Sequence, residues 1–381
     1  MSSWDVTDTG QPVREVSFTT TEGTWMSVSV SPDGGTIVFD LLGDLYATPA
    51  SGGDATLLRG GPAMHRMPVF SPDGERILHL SDTDGYDNVW SCAADGSDPV
   101  QHTYETHDIL TEPIWGPDAR GVIAPRIFRA HRKLFSSQIR LYEAGDQQRD
   151  GRLLVDVPAS GRDVLEPALS PDGAWLYYSE RLVRPNIYVD ANHANFAIRR
   201  RRLADGHTET VVGGFGGAIR ACPSPDGTRL AFLRRVKAKT VLFCLDLRTG
   251  EQRPVYDGLD RDNQAVWELQ GNYYPRFSWF PDSRHVAVWA GGTIQRIDTR
   301  TGQATPIRFR ATCHHTVTEP VRPHHDLAPA SVHARAVRHL ACPPKGDGTV
   351  FVALGRLWHT TGDGSAPVPV GDHDRHAGEP A

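Results

Sequence analysis

The sequence predicts an all-β fold, a single seven-bladed β-propeller of four-stranded antiparallel blades, on three observations. A four-residue turn signature recurs along the chain, each copy lies between short apolar strands, and the repeating unit is about 40–55 residues, the length of one blade. Ser31-Pro32-Asp33-Gly34 returns as Ser71-Pro72-Asp73-Gly74, Ser170-Pro171-Asp172-Gly173 and Ser224-Pro225-Asp226-Gly227. Degenerate copies stand at Gly116-Pro117-Asp118-Ala119 and Phe280-Pro281-Asp282-Ser283, and a more damaged one spans Cys342 to Gly348.

Each copy follows the same physical grammar. A short strand such as Pro68-Val69-Phe70 enters a turn in which Pro presets φ, Asp bonds its own backbone and Gly tolerates positive φ. The next strand is apolar (Thr36-Ile37-Val38-Phe39, Trp175-Leu176-Tyr177-Tyr178, Leu230-Ala231-Phe232-Leu233) and the third carries an aromatic or aliphatic centre, as in Asn88-Val89-Trp90. A second turn, such as Ala94-Asp95-Gly96 or Thr249-Gly250, leads to the fourth strand. Blades accordingly begin near Trp25, His65, Leu110, Val164, Ala218, Tyr274 and Ala336 within one propeller domain over 13–365, flanked by flexible termini at 1–12 and 366–381. Val13–Thr20 reads as a strand without a blade of its own, and its expected place is in the last blade, where it would close the ring and remove a free sheet edge.

Composition agrees with this architecture. The 381 residues are 39% hydrophobic and 23% charged, which suits a packed core, and 37 Gly with 28 Pro suit many tight turns. A net charge of −6 argues against a nucleic-acid backbone or an anionic membrane as partner. The run Arg199–Arg202 follows Phe196-Ala197-Ile198 in a strand whose alternation sends its charges to opposite faces. The opening segment has no basic, apolar export signature, and five cysteines without a C-x-x-C pair indicate neither a disulfide framework nor a zinc knuckle. A cytoplasmic monomer is the expectation.

The Ser-Pro-Asp-Gly hairpins resemble the repeats of TolB-like propellers. Longer strings, Thr36-Ile37-Val38-Phe39-Asp40-Leu41-Leu42-Gly43-Asp44-Leu45-Tyr46, Arg253–Asp262 and Val288-Trp289-Ala290-Gly291-Gly292, are similar to the propeller that precedes the catalytic barrel in metal-dependent amidohydrolases. The likeness covers roughly 15–365 and implies fold more than function. In that family the chemistry lies in a separate barrel with His-x-His ligands; this chain contains no His-x-His and is expected to be a stand-alone propeller.

No G-x-S-x-G elbow, P-loop or H-E-x-x-H is present. The repeat itself offers a site, because equivalent inner-strand positions meet around the axis. The fourth position before each turn gives Ser27, Met67, Glu112, Glu166, Arg220 and Arg276, with Arg338 or His339 in the seventh unit. Glu112 and Glu166 are the expected acid/base carboxylates, with His65 and His339 as second choices. Arg220 and Arg276 would hold an anion, and Trp25, Arg66, Met67, Tyr274 and Arg338 would complete a small-molecule site. The alternative weighed is that such acids and arginines neutralise one another and fix blade order.

The segment Arg310–His333 departs from the repeat and, with prolines at 320, 323 and 329, is expected to be a loop. His314, His315, His324 and His325 could bind a divalent metal, at most one from each pair because neighbours in a strand face opposite ways. Two functions follow: a small-molecule lyase, cyclase, isomerase or hydrolase working at the channel mouth, or a non-catalytic accessory module for a separate amidohydrolase-type enzyme.

Overall fold

The computed structural model describes residues 10–131, 134–143, 150–158, 163–183, 190–266, 272–319, 326, 328–344 and 346–371. Four turns show why the signature repeats. At Ser31, Ser71, Ser170 and Ser224 the Ser Oγ donates to the Asp Oδ1 two residues on, each at 2.5 Å. The same Oγ accepts from the N–H five residues on (2.9–3.0 Å), which seals the hairpin end. Gly34, Gly74, Gly173 and Gly227 take φ values of 75°, 77°, 68° and 69°, the left-handed region that a side chain disfavours.

Six sheets form the first of two compact units, Met1–Glu319. Blade 1 contains Val28–Val30, Thr36–Leu41, Asp44–Pro49 and Gly53–Arg59; blade 2 contains His65–Phe70, Arg76–Ser81, Asn88–Ala93 and Val100–Gln101. In blade 3 the inner strand is broken into Ile109–Leu110 and Ile114–Trp115, both paired to Gly121–His131, followed by Leu134–Glu143 and Arg152–Val155. Blade 4 contains Val164–Leu169, Trp175–Arg181, Phe196–Arg202 and Thr208–Val212, and blade 5 Ile219–Pro223, Arg229–Val236, Lys239–Asp246 and Gln252–Leu259. Blade 6 contains Ser278–Trp279, His285–Ala290, Thr293–Asp298 and Ala304–Ile307.

Second strands read as apolar runs because neighbouring blades cover both their faces. Ile37, Phe39, Leu78, Leu176, Phe232 and Val288 are all buried, and each such side chain contributes about 1.5–3 kcal/mol.

Blade 6 packs directly on blade 1. Val28 N–H donates to the Arg276 carbonyl (2.9 Å), Gly23 N–H to the Gly292 carbonyl (2.9 Å), and Trp289 Nε1–H to the Gly23 carbonyl (2.8 Å). Six sheets thus lie in this unit, where the sequence led to seven blades in one ring. The seventh repeat does form a four-stranded sheet, Arg338–Ala341, Thr349–Ala353, Arg356–Thr360 and Val368–Pro369, but it belongs to the second unit, Pro320–Ala381.

Closure also differs from expectation. Phe309–Thr318 is a strand, not a loop, and it runs parallel to Gly53–Arg59 at the outer edge of blade 1. Its pattern explains this: Phe309, Ala311 and Cys313 are buried while Arg310, Thr312 and His314 are exposed, the alternation of a half-covered edge. Val13–Thr20 pairs antiparallel with that strand, from Val13 opposite Thr318 to Thr20 opposite Ala311, so it extends the first blade and not the last. Sequence from the two ends of the unit is thus layered on one sheet of six strands. Among the described residues no helix is long and apolar enough to cross a membrane.

Candidate functional site

The inner strands turn inward through left-handed residues: Met67, Glu112, Glu166 and Arg220 have φ of 58°, 47°, 59° and 58°. In blades 2, 4 and 5 the register slips there, between Arg66 and Val69, Leu165 and Ala168, and Ile219 and Cys222. Such a bulge takes a backbone N–H out of its ladder, and a buried N–H must find another acceptor.

The acceptor comes from the preceding blade. Met67 N–H donates to Asp40 Oδ2 (2.8 Å), Glu112 N–H to Met67 Sδ (3.3 Å), Glu166 N–H to Glu112 Oε2 (2.6 Å), and Arg220 N–H to Glu166 Oε2 (2.6 Å). Asp40 Oδ1 also takes the Ser27 N–H (2.6 Å), and Ser27 Oγ takes the Arg276 N–H (3.3 Å). Side chain to backbone, the relay passes round all six blades.

Charge is settled inside the same relay. Arg220 Nη2 bonds Glu112 Oε1, lies 3.2 Å from Glu166 Oε1 and donates to the Tyr274 carbonyl (2.6 Å). Glu166 further accepts from Ser179 Oγ (2.6 Å) and Tyr273 N–H (3.1 Å), so with the Arg220 N–H three hydrogen bonds reach its carboxylate beside the Arg220 ion pair. Glu112 and Glu166 are each 1% exposed and Arg220 4%. Burial raises the Glu166 pKa, opposed by Arg220 and reinforced by Glu112. Burial works against the charge of Arg220, yet the two carboxylates hold its pKa above the ordinary value. Arg276 touches no carboxylate; it donates to the Pro113 carbonyl (3.0 Å), and burial with the like charge of Arg220 lowers its pKa to about 10. Both carboxylates are thus hydrogen-bonded and ion-paired within the fold.

A different group of predicted residues meets elsewhere. Trp25, His65 and Arg66 line an open cleft of about 730 Å³ with Phe18, Glu22, Asp40, Met64 and Gly292, where blades 1, 2 and 6 come together. That volume is within the range of small-molecule sites. Trp25 has a φ of 60°, unusual for an aromatic residue, and its Nε1–H donates to Asn272 Oδ1 (2.9 Å). Its ring lies 5.7 Å from that of Tyr274 and 5.9 Å from that of Trp289. Tyr274 itself is buried behind Trp25, with its hydroxyl donating to the Trp289 carbonyl (2.9 Å), so it supports the indole instead of facing a ligand.

On the opposite wall Asp40 has its pKa raised to about 6 by burial, against the two backbone donors and Arg66. Arg66 is paired with Asp87. His65 is 2% exposed, packs edge-on against His79 with ring centroids 5.3 Å apart, and leaves Nδ1 without a hydrogen-bond partner. Burial first, and Arg59 second, lower its pKa to about 4, so it is neutral near pH 7.

The remaining expected residues are dispersed. Arg338 and His339 lie in the first strand of the second unit and are exposed. His314 and His315 occupy opposite faces of Phe309–Thr318: His314 Nδ1 bonds Ser17 Oγ (2.8 Å), while His315 stacks on Phe18 and its Nε2 lies 3.8 Å from Asp44 Oδ2. His324 and His325 lie outside the described residues. Among the described residues no three His, Cys, Asp or Glu side chains are grouped to hold a metal. In Arg199–Arg202 the charges are met locally, Arg199 by Glu180 (2.9 Å), Arg200 by Glu209 and Arg202 by Asp205 (2.8 Å). Arg200 and Arg202 also lie on the ring of Trp175, at 4.3 and 4.8 Å.

Asp40, Glu22 and Asn272 were not among the expected site residues. Asp40 did carry a signal, a lone charge ending the apolar run Thr36-Ile37-Val38-Phe39. Asn272 had none, because its role depends on a partner 247 positions away.

No protein-family model matches the chain, and no curated protein matches it. Solved structures do. A protein described as TolB from Agrobacterium tumefaciens aligns with a TM-score of 0.50 and 19% identity over 71% of this chain and 96% of that one. TolB from Acinetobacter baumannii gives 0.54 and 13% over 80% and 68%. Puromycin hydrolase gives 0.52 and 16% over 94% of this chain but 54% of its own, and the tricorn protease 0.52 and 15% over 92% and 31%. At these identities the likeness is one of fold: this chain is an all-β protein built as a TolB-like β-propeller.

Proposed function

We propose that the chain is a ligand-binding propeller whose site is the cleft at the meeting of blades 1, 2 and 6, and that it serves a catalytic unit and is not itself an acid/base enzyme at the ring centre. The observation that carries this reading is the contrast in hydrogen bonding. The Glu112 and Glu166 carboxylates spend their acceptors on Arg220, Ser179 and backbone N–H groups, whereas the cleft is open beside an aromatic fixed in place and has an exposed carboxylate, Glu22, on its wall. The overlap with puromycin hydrolase and the tricorn protease also supports an accessory role, since this chain matches about half and a third of those hydrolases. A separate amidohydrolase-type partner, suggested by the repeat strings, is one form such a catalytic unit could take.

A second reading has one observation in its favour. Asp40, with a pKa near 6 on the cleft wall, is placed to exchange a proton near neutral pH, which would make the cleft the seat of a lyase, cyclase, isomerase or hydrolase reaction.

The test is to assay the purified chain against ester, amide, lactone and uronide substrates while following the Trp25 indole N–H by NMR. Ligand-dependent shifts without turnover support the binding reading. Turnover that disappears in folded Asp40→Asn supports the second, and turnover that disappears in folded Glu112→Gln and Glu166→Gln but not in Asp40→Asn overturns both.

A further inference from the structure

We propose that the cleft selects a cationic ligand, an ammonium or guanidinium group attached to an apolar or aromatic body; this rests on the cleft being the binding site. The argument begins with charge. Two carboxylates line the cleft, Glu22 and Asp40, against one cation, Arg66, and that cation is already paired with Asp87. Glu22 is exposed and makes no ion pair among the described residues. The cleft therefore carries uncompensated negative charge, and an entering cation gains attraction without displacing an existing partner.

Aromatic geometry points the same way. A cation within about 6 Å of a Trp ring is attracted by the electron-rich face, most strongly at Trp among the aromatics. Here the indole is fixed in advance: a left-handed backbone at φ 60°, a hydrogen bond to Asn272, and the rings of Tyr274 and Trp289 packed against it. Backbone strain at an aromatic residue persists only where its surroundings enforce it, and such sites cluster at ligand clamps. An indole held this firmly loses little entropy when a ligand arrives.

The ligand also needs one hydrogen bond. His65 is buried, lines the cleft and has Nδ1 unpartnered. Because this imidazole stays neutral near pH 7, it adds polarity to the wall without repelling a cation. Leu42 and Met64, exposed at the cleft, supply apolar surface for the body of the ligand.

Three probes of one shape separate charge from shape: tyramine (cation), tyrosol (neutral) and 3-(4-hydroxyphenyl)propionate (anion), each titrated to millimolar concentration at pH 7.5 with the indole N–H signals assigned. The expected result is tyramine binding at least tenfold tighter than either analogue, with the shift centred on Trp25. Glu22→Gln, at an exposed position that leaves the fold intact, should remove most of that preference, and added salt should weaken tyramine alone. Equal binding of all three at Trp25, or tighter binding of the anion, overturns the cationic assignment and leaves the cleft as the site. Absence of any shift at Trp25 with all three overturns the cleft reading as well.

Discussion

The cluster of Glu112, Glu166 and Arg220 and the cleft beside Trp25 draw on the same residue types in different settings. At the centre, Glu112, Glu166 and Arg220 are buried and ion-paired, and each carboxylate takes the N–H that a neighbouring bulge releases. At the cleft, Glu22 is exposed, Asp40 sits at the wall, and His65 is buried with a ring nitrogen unmatched. Charged residues converging on an axis are thus insufficient to mark a site. The two settings differ in whether the carboxylates are already hydrogen-bonded and ion-paired, as Glu112 and Glu166 are, or exposed, as Glu22 is.

The comparison breaks most readily at the centre. Glu112→Ala would leave Arg220 buried beside a single acid and strip the Glu166 N–H of its acceptor, so a loss of about 3–5 kcal/mol is expected, read by urea denaturation. Glu166→Ala should cost as much, and Glu166→Gln less, because the amide oxygen keeps some of the three hydrogen bonds. A loss below about 1 kcal/mol for both alanine variants would mean that the relay is not a stabilising element.

A smaller effect separates the cleft wall by pH. Asp40, raised from 3.8 to about 6, contributes stability that is fully present below pH 3.8 and is lost as pH rises through 6. His65 and His79, lowered from 6.5 to about 4 and about 3 mainly by burial, contribute in the opposite sense: their share is present above pH 6.5 and is lost as pH falls toward those values. The two slopes oppose each other between pH 4 and 6. Asp40→Asn should therefore gain stability more steeply with rising pH than the parent chain in that interval. A parallel profile would place the Asp40 pKa near its ordinary value.

The smallest effects belong to exposed groups. Glu22→Gln and His314→Ala should each change stability by less than about 0.5 kcal/mol, because neither removes a buried partner. For Glu22 the consequence should lie in ligand preference alone. A Tm unchanged in Glu22→Gln beside a large fall in Glu112→Ala would make the contrast between the two regions quantitative.

Much of this was legible in the chain. The Ser-Pro-Asp-Gly turns fix hairpins through contacts spanning five residues, so each blade could be read locally, and the position before the turn led to Glu112, Glu166 and Arg220 as a converging set. Their hydrogen bonding was not legible, because it depends on φ values at bulges and on N–H groups 54 positions away. Closure was misplaced for a related reason. Val13–Thr20 has the pattern of a strand, and nothing in that pattern says which edge it joins; the alternating Phe309–Thr318 strand captured it at blade 1. Alternation also failed to register within Arg310–His333, where prolines at 320, 323 and 329 drew attention away from the regular strand before them.

The sequence by itself determined the repeating hairpins, the apolar strands and the convergence of acids and arginines on one axis, because turn chemistry and alternation act over a few residues. Tertiary structure alone decided that six sheets share one unit while the seventh repeat lies in a second, and that Glu112 and Glu166 are paired with Arg220 while the cleft remains open. Those outcomes depend on which distant donor meets which acceptor, and a hydrogen bond carries no trace in the sequence between its partners.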